Sequence, residues 1–264
     1  MTEAIEAWRE YHNRIEQLIE EEGFENFLQW YPIRRAVWVG NAPHIREKLK
    51  WIIKSYTSLS LFAKLEMLNE KWIGNPDPLP DADYTSGTRV NMVYHILQLK
   101  KHVGIYFRNF DFIFEFGGGY GCFADIMYRL GFSGDYWFYD VPAMLRIQDY
   151  FMQESGHKKH KMRFIPNVAN LDIPKISNSA FVATMSFAEI SIEERAKIEE
   201  HLHKFKLIFI AFAEDFGHGN IDNRKYFDDF KKRFDDYEWK EWLIDGDLKS
   251  KRPGKFYLVG DRKE

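Results

Sequence analysis

Residues 112–140 read FIFEFGGGYGCFADIMYRLGFSGDYWFYD, and the fold follows from how this stretch divides. Phe112-Ile113-Phe114-Glu115-Phe116 is a short apolar run rich in aromatic residues, the pattern of a fully buried strand. Gly117-Gly118-Gly119-Tyr120-Gly121 follows at once. Only glycine lets a backbone turn this sharply and approach a ligand with no Cβ in the way. Cys122–Leu130 then predicts a helix, with Phe123, Ile126, Met127 and Leu130 on one face and Gly131 as its stop. Tyr136–Tyr139 is a second strand ending on Asp140. Strand, glycine turn, helix and a second strand ending in an acid is a nucleotide-binding βαβ half. Four glycines in five residues would cost order for no gain in a turn that binds nothing.

The acid identifies the kind of nucleotide. Asp140 lies nineteen residues past Gly121 and can accept hydrogen bonds from two ribose hydroxyls. NAD and S-adenosylmethionine (SAM) both carry such a ribose. Gly119, Gly121 and Ala124 fit the dinucleotide pattern, so an NAD(P)-dependent oxidoreductase stays open. Glu115, two residues before the first glycine, and the spacing Gly117, Gly119, Gly121 favour SAM. No Tyr-x-x-x-Lys pair follows the fourth strand, as one class of dehydrogenase would need.

Outward from this stretch, the chain continues as α/β. Pro142–Gln153 predicts a helix, Met162–Ile165 a third strand, Ala180–Met185 a fourth and Leu207–Ala213 a fifth. Ser191 and Glu194 form a capping-box pattern ahead of the helix Ile192–Lys204. A helix at Arg224–Phe234 precedes two strands, Glu238–Ile244 and Lys255–Val259, joined by a Gly/Lys/Pro turn with no helix between them. Such a closing antiparallel hairpin ends methyltransferase sheets. On the N-terminal side, residues 2–22, 43–56 and 59–72 read as helices, and Phe24–Tyr31 as a short helical turn ended by Pro32. Gly74–Tyr84, with three prolines and three aspartates, reads as a loop, followed by an amphipathic helix Val90–Lys101. The expected division is a helical cap or oligomerisation region at 1–84 and a catalytic domain at 85–264.

Composition narrows the partners. A net charge of −3 with no sustained basic block argues against bulk nucleic-acid binding. The single cysteine, Cys122, excludes an intramolecular disulfide and fits a reducing compartment. No run is long and apolar enough to span a bilayer, and the charged N-terminus is unlike a signal peptide, so the expectation is a cytoplasmic protein.

The runs FEFGGGYGCFADIMYRLG and YWFYDVPAMLRIQDYF resemble the sugar O-methyltransferase family of polysaccharide and surface-glycan gene sets. That family has an E-x-G-G-G-x-G motif, a strand ending in D-[LV]-P and a helix with a central Gln; here these are Glu115–Gly121, Asp140-Val141-Pro142 and Gln148. Its S-x-x-E motif resembles Ser186–Glu189, and its G-N-P segment resembles Gly74-Asn75-Pro76. The resemblance covers roughly residues 70–230 and the first seventy residues fall outside it. It implies a Rossmann-like class I methyltransferase sheet of seven strands, the last pair an antiparallel hairpin, and transfer of a methyl group from SAM to a sugar hydroxyl of a small-molecule or glycan substrate. A small-molecule O- or N-methyltransferase with another acceptor and a catalytically silent SAM-binding protein remain alternatives.

The expected cofactor residues are Glu115, Gly117, Gly118, Gly119, Gly121, Asp140, Val141, Asn167, Val168, Ser186 and Arg89. Methyl transfer is an in-line displacement, and a sugar hydroxyl is a weak nucleophile, so a base or a metal helps. His218, in a glycine-flanked loop after the fifth strand, is the first candidate base, since an imidazole titrates near neutrality. Glu189, just past the fourth strand, is the second. Asp215, Asp222 and Asn223 are candidates for sugar hydroxyls or for Mg²⁺, although their spacing alone establishes no metal site.

Overall fold

A computed structural model describes residues 3–37, 39–40, 42–55, 59–167, 171–214, 221–245 and 254–263, with the side chains of residues 3–9 and 159 excepted. Five strands run parallel: β3 (Phe112–Phe116), β4 (Asp135–Tyr139), β5 (Met162–Ile165), β6 (Ser179–Thr184) and β7 (Leu207–Ala213). Two more, β8 (Tyr237–Leu243) and β9 (Lys255–Arg262), close the sheet antiparallel, in the order β5-β4-β3-β6-β7-β9-β8. The chain therefore builds outward from β3 in one direction, returns, and builds outward in the other. Ligands in open α/β sheets bind at the carboxyl ends beside this reversal. Here that is the end of β3, where the glycine turn begins.

The central strands carry no polar alternation because both faces are covered. All five residues of β3 and all seven of β7 are buried, as expected for parallel strands between helical layers. Ile113, Tyr136, Phe138, Val182 and Phe209 face one layer, made by α5 (Gly87–Val103), α6 (Cys122–Arg129) and α7 (Pro142–Glu154). Phe112, Phe114, Trp137, Phe181 and Ile208 face the other, made by α8 (Ile192–Leu202) and α9 (Asn223–Arg233).

The N-terminal helices α1 (Glu3–Glu22), α2 (Tyr31–Ala36), α3 (Pro43–Lys54) and α4 (Leu61–Leu68) pack on the first layer. Ile15, Phe27, Ile33, Ile45, Ile52 and Met67 belong to the same apolar cluster as the sheet residues Ile113 and Tyr257. Phe24 stacks on Tyr150 of α7 at 4.6 Å, and Arg146 of α7 pairs with Glu16 and Glu20 of α1.

Three local readings change. Pro32 does not end a helical turn; a 3-10 turn ends at Gln29, and α2 starts at Tyr31 with proline in its first turn, where its missing N–H is no loss. Gly74–Tyr84 is not all loop: β1 (Pro78–Leu79) and β2 (Ala82–Ser86) form a small antiparallel pair. Helix α5 starts at Gly87, three residues before the predicted start, because the Ser86 hydroxyl accepts the Arg89 N–H. Among the described residues no helix is long and apolar enough to cross a membrane.

Candidate active site

The turn after β3 is shaped by contacts that a side chain would break. Gly117 has φ +67°, and a Cβ there would lie 2.3 Å from the Ser186 Cβ. A Cβ on Gly118 would lie 2.6 Å from Glu115 Oε2. The turn is fixed to its neighbours from three sides. The Gly117 N–H donates to the Tyr139 carbonyl at 2.8 Å. The Ser186 hydroxyl donates to the Phe116 carbonyl, joining the ends of β3 and β6. Gln148 Nε2, on α7 and fully buried, donates both to the Gly119 carbonyl at 2.8 Å and to Asp140 Oδ2 at 2.9 Å.

Three carboxyl groups converge on this end of the sheet. Glu115 is buried within β3; its Oε2 accepts the Tyr136 hydroxyl at 2.7 Å, while Oε1 is buried with no hydrogen-bond partner. Burial raises its pKa to about 8, against the Tyr136 hydrogen bond and aided by the charge of Asp140. Asp140 directly follows β4 and is partly buried. Its Oδ1 accepts the Val141 N–H at 2.9 Å, and burial raises its pKa to about 7 despite that bond and the one from Gln148. Glu189 follows the turn after β6. Burial raises its pKa to about 7, opposed by the charge of Lys255 at the start of β9. The Glu189 charge is felt at Asp140, so the sites after β4 and β6 share one electrostatic space.

Two further features line the same space. Val141, beside Asp140, exposes 41% of its surface, an apolar group next to an acid. Met185, at the end of β6, holds φ +80°, which is strained for a residue with a Cβ. Its N–H donates to the Ala211 carbonyl of β7, and the strained turn carries Ser186 back against Gly117.

The predicted residues therefore separate. Glu115, Gly117, Gly118, Gly119, Gly121, Asp140, Val141, Ser186 and Glu189 gather at the carboxyl ends of β3, β4 and β6. Asn167 is exposed just past β5. Arg89 is corrected. Its guanidinium is fully buried, donating to the Met67 carbonyl at 2.7 Å and pairing with Glu70 and Asp125, so no surface remains for a ligand carboxylate. Asn223 is also enclosed: its Oδ1 accepts from Arg195, and its Nδ2 donates to the Ala213 carbonyl at 2.9 Å. Asp222 is exposed and caps α9 through the Lys225 N–H at 2.9 Å. Val168, Asp215 and His218 lie outside the described residues. Among the described residues no group of three His, Cys, Asp or Glu side chains is placed to hold a metal ion.

Sequence reasoning missed Tyr136, Lys255 and Val37 as site residues. Tyr136 read only as a strand aromatic, and Lys255 only as a strand start. Val37 follows α2, and its Cγ1 stands 3.3 Å from where a Cβ on Gly119 would be. The N-terminal region thus reaches the glycine turn, and no local pattern announces it.

The order of seven strands, with its reversed last pair, is that of the Rossmann-like fold of class I methyltransferases. No protein-family model and no curated protein matches the chain. Among solved structures, magnesium protoporphyrin IX methyltransferase (ChlM) from Synechocystis PCC 6803 with bound SAM is similar, at 13% identity and TM-score 0.47, over 96% of this chain and 97% of that one. The methyltransferase domain of bacterial CtHen1-C is 12% identical with TM-score 0.49, over 66% of this chain and 97% of that one. Precorrin-6y C5,15-methyltransferase from Geobacter metallireducens GS-15 is 12% identical with TM-score 0.45, over 67% and 89%. The fold assignment rests on the strand order and register described above.

Proposed function

We propose that the protein is a SAM-dependent methyltransferase and that its acceptor is a sugar hydroxyl. The observation that carries the cofactor is the cradle itself. A glycine turn that admits no Cβ is flanked by Glu115 and Asp140 at the topological reversal of the sheet. Two buried oxygens beside it, Glu115 Oε1 and Gln148 Oε1, have no partner among the described residues. Buried polar atoms without partners are costly, and hydrogen-bond donors on a ligand would satisfy them.

The residues present fit SAM. Asp140 would accept the ribose hydroxyls, held for that role by Gln148 and the Val141 N–H. Val141 offers an apolar surface for the adenine. Asn167 and Val168, after β5, are proposed at the adenine edge. The backbone of Gly117–Gly121 would lie under the amino-acid portion, with Val37 above Gly119. When bound, SAM supplies an electrophilic methyl group on a sulfonium.

What the chain must add is orientation and a proton acceptor. Glu189 is proposed as that acceptor, because a carboxyl with a pKa of about 7 is ionised to a useful extent at neutral pH while keeping basicity. Lys255 opposes its neutral form and would hold the anion in place. His218 is proposed for the same role, and Asp215 for contact with the acceptor or with a divalent cation. The sugar acceptor is supported by the sequence resemblance in Glu115–Gly121 and Asp140–Pro142. Residues 1–84 are proposed as a cap, in keeping with Val37 at the glycine turn.

Calorimetric titration with S-adenosylhomocysteine, beside NAD and NADP, tests the cofactor. Binding of S-adenosylhomocysteine alone supports the reading and justifies screening sugar acceptors. Binding of NAD instead would overturn it.

A further inference from the structure

Helix α4 exposes three large apolar side chains, Leu61, Phe62 and Leu65, beside a single exposed acid, Glu66. Phe62 is 71% exposed, Leu61 54% and Leu65 40%, with Ile53 at the end of α3 41% exposed. The patch continues into a groove. Leu59, which leads into α4, lines it together with Ile96, Ile105, Leu130 and Tyr106. The end of α3 adjoins the middle of α4, since Lys64 Nζ donates to the Ser55 carbonyl. Exposed apolar surface gathered in one place marks an interaction site more often than scattered residues do.

Its surroundings are basic, against the net charge of −3 of the whole chain. Lys100 and Arg108 line the groove itself, both over the Tyr106 ring, at 3.4 Å and 5.1 Å from its centroid. Lys101 lies over Trp51 of α3 at 5.7 Å, and Lys54 is exposed in the last turn of α3. Two exposed acids, Glu66 on α4 and Asp111 after the groove, accompany these cations in sequence. Lys50 is already paired with Glu47 at 2.9 Å.

We infer that this face docks the protein on an anionic lipid surface, with Leu61 and Phe62 entering the interface and Lys54, Lys100 and Arg108 meeting the headgroups. Aromatic and leucine side chains on one side of a helix with lysine and arginine around them are the composition of an interfacial element. Charge separates this occupant from a second copy of the chain. In a two-fold dimer the same patch meets itself, which would bring Lys54, Lys100 and Arg108 of the two copies against one another. The groove is lined by Ile105–Arg108, which lead into β3, and by Leu130 at the end of α6, whereas the glycine turn follows Phe116 at the other end of β3. Docking there would leave the proposed active site facing away from the membrane.

Flotation of the full chain with vesicles tests this independently of any catalytic role. The probes are phosphatidylcholine alone and phosphatidylcholine with about 30 mol% phosphatidylglycerol, in low salt and in roughly 0.5 M salt. The expected result is recruitment to the anionic vesicles only, weakened by salt. Phe62→Asp should reduce it by about tenfold or more, since it removes the deepest apolar group and adds a like charge to the membrane's. Lys54→Glu with Arg108→Glu should do the same, because each cation adds roughly fivefold to binding at such a surface. Melting temperatures of the variants, expected to be unchanged at these exposed positions, exclude unfolding as the cause. No recruitment by the wild-type chain, or equal recruitment by neutral vesicles, would overturn the inference. So would a dimer in sedimentation velocity that Phe62→Asp dissociates, which would assign the patch to a second copy.

Discussion

Tyr136 donates its hydroxyl to Glu115 across adjacent parallel strands, at 2.7 Å. The register pairs Ile113 with Tyr136 and Glu115 with Phe138, so the bond runs diagonally on the face covered by α5, α6 and α7. Glu115 Oε2 takes this bond, while its Oε1 is buried with no hydrogen-bond partner among the described residues. Tyr136→Phe is expected to raise the Glu115 pKa further and to destabilise the ligand-free protein by about 1–3 kcal/mol. Denaturant unfolding measures the second; an unchanged midpoint would show that another donor reaches the carboxyl.

The raised carboxyl pKa values predict how stability depends on pH. In the unfolded chain Glu115, Asp140 and Glu189 ionise near their ordinary values, about 4. In the fold they hold their protons up to about 8, about 7 and about 7 respectively. Between those limits the folded state binds more protons than the unfolded state, so their contribution is complete below about pH 4 and is lost as pH rises through 7 to 8. The melting temperature of the ligand-free protein should therefore fall from pH 5 to pH 8.5, and Glu115→Gln should flatten the decline. A melting temperature that rises over this range in the wild type, with no change in slope in the variant, would contradict the assignment.

Glu189→Gln should lower turnover by about 10²–10⁴ while S-adenosylhomocysteine binds as before, if Glu189 accepts the proton. In the wild-type enzyme, activity should rise with pH through about 7, the value at which Glu189 ionises. The same loss in His218→Ala, with Glu189→Gln fully active, would move the role to His218.

Gly117→Ala would force a Cβ to 2.3 Å from that of Ser186 at a φ of +67°. Either β6 shifts away from β3 or the turn rebuilds. The expected result is a loss of about 1–3 kcal/mol of stability and of S-adenosylhomocysteine binding together. Full binding would mean that the turn does not form the cofactor cradle.

Asp222 and Asn223 should behave differently from each other. Asp222→Ala removes a helix cap and should cost about 1 kcal/mol, with the Michaelis constant for the acceptor unchanged. Asn223→Ala takes a buried partner from Arg195 and from the Ala213 carbonyl, and should cost about 2–4 kcal/mol. A raised Michaelis constant in Asp222→Ala with an unchanged melting temperature would restore its role in holding substrate.

The sequence by itself determined the sheet and the glycine turn with its flanking acids. Buried strands that must pack on both faces leave unbroken apolar runs, as in Phe112–Phe116 and Leu207–Ala213. A turn that must approach a ligand leaves glycines, and the acids that flank it stand at fixed distances along the chain. These constraints are local, so they are written locally. The tertiary structure alone decided which polar residues have capacity left for chemistry. Arg89 and Asn223 have the composition of ligand-binding residues, but Glu70, Asp125, Arg195 and the Ala213 carbonyl reach them from distant parts of the chain and occupy them. Tyr136 and Val37 look like packing residues, yet one bonds Glu115 and the other stands over Gly119. Burial and partnership depend on segments far apart in sequence, and the exposed apolar face of α4 emerges only once every other face has been covered.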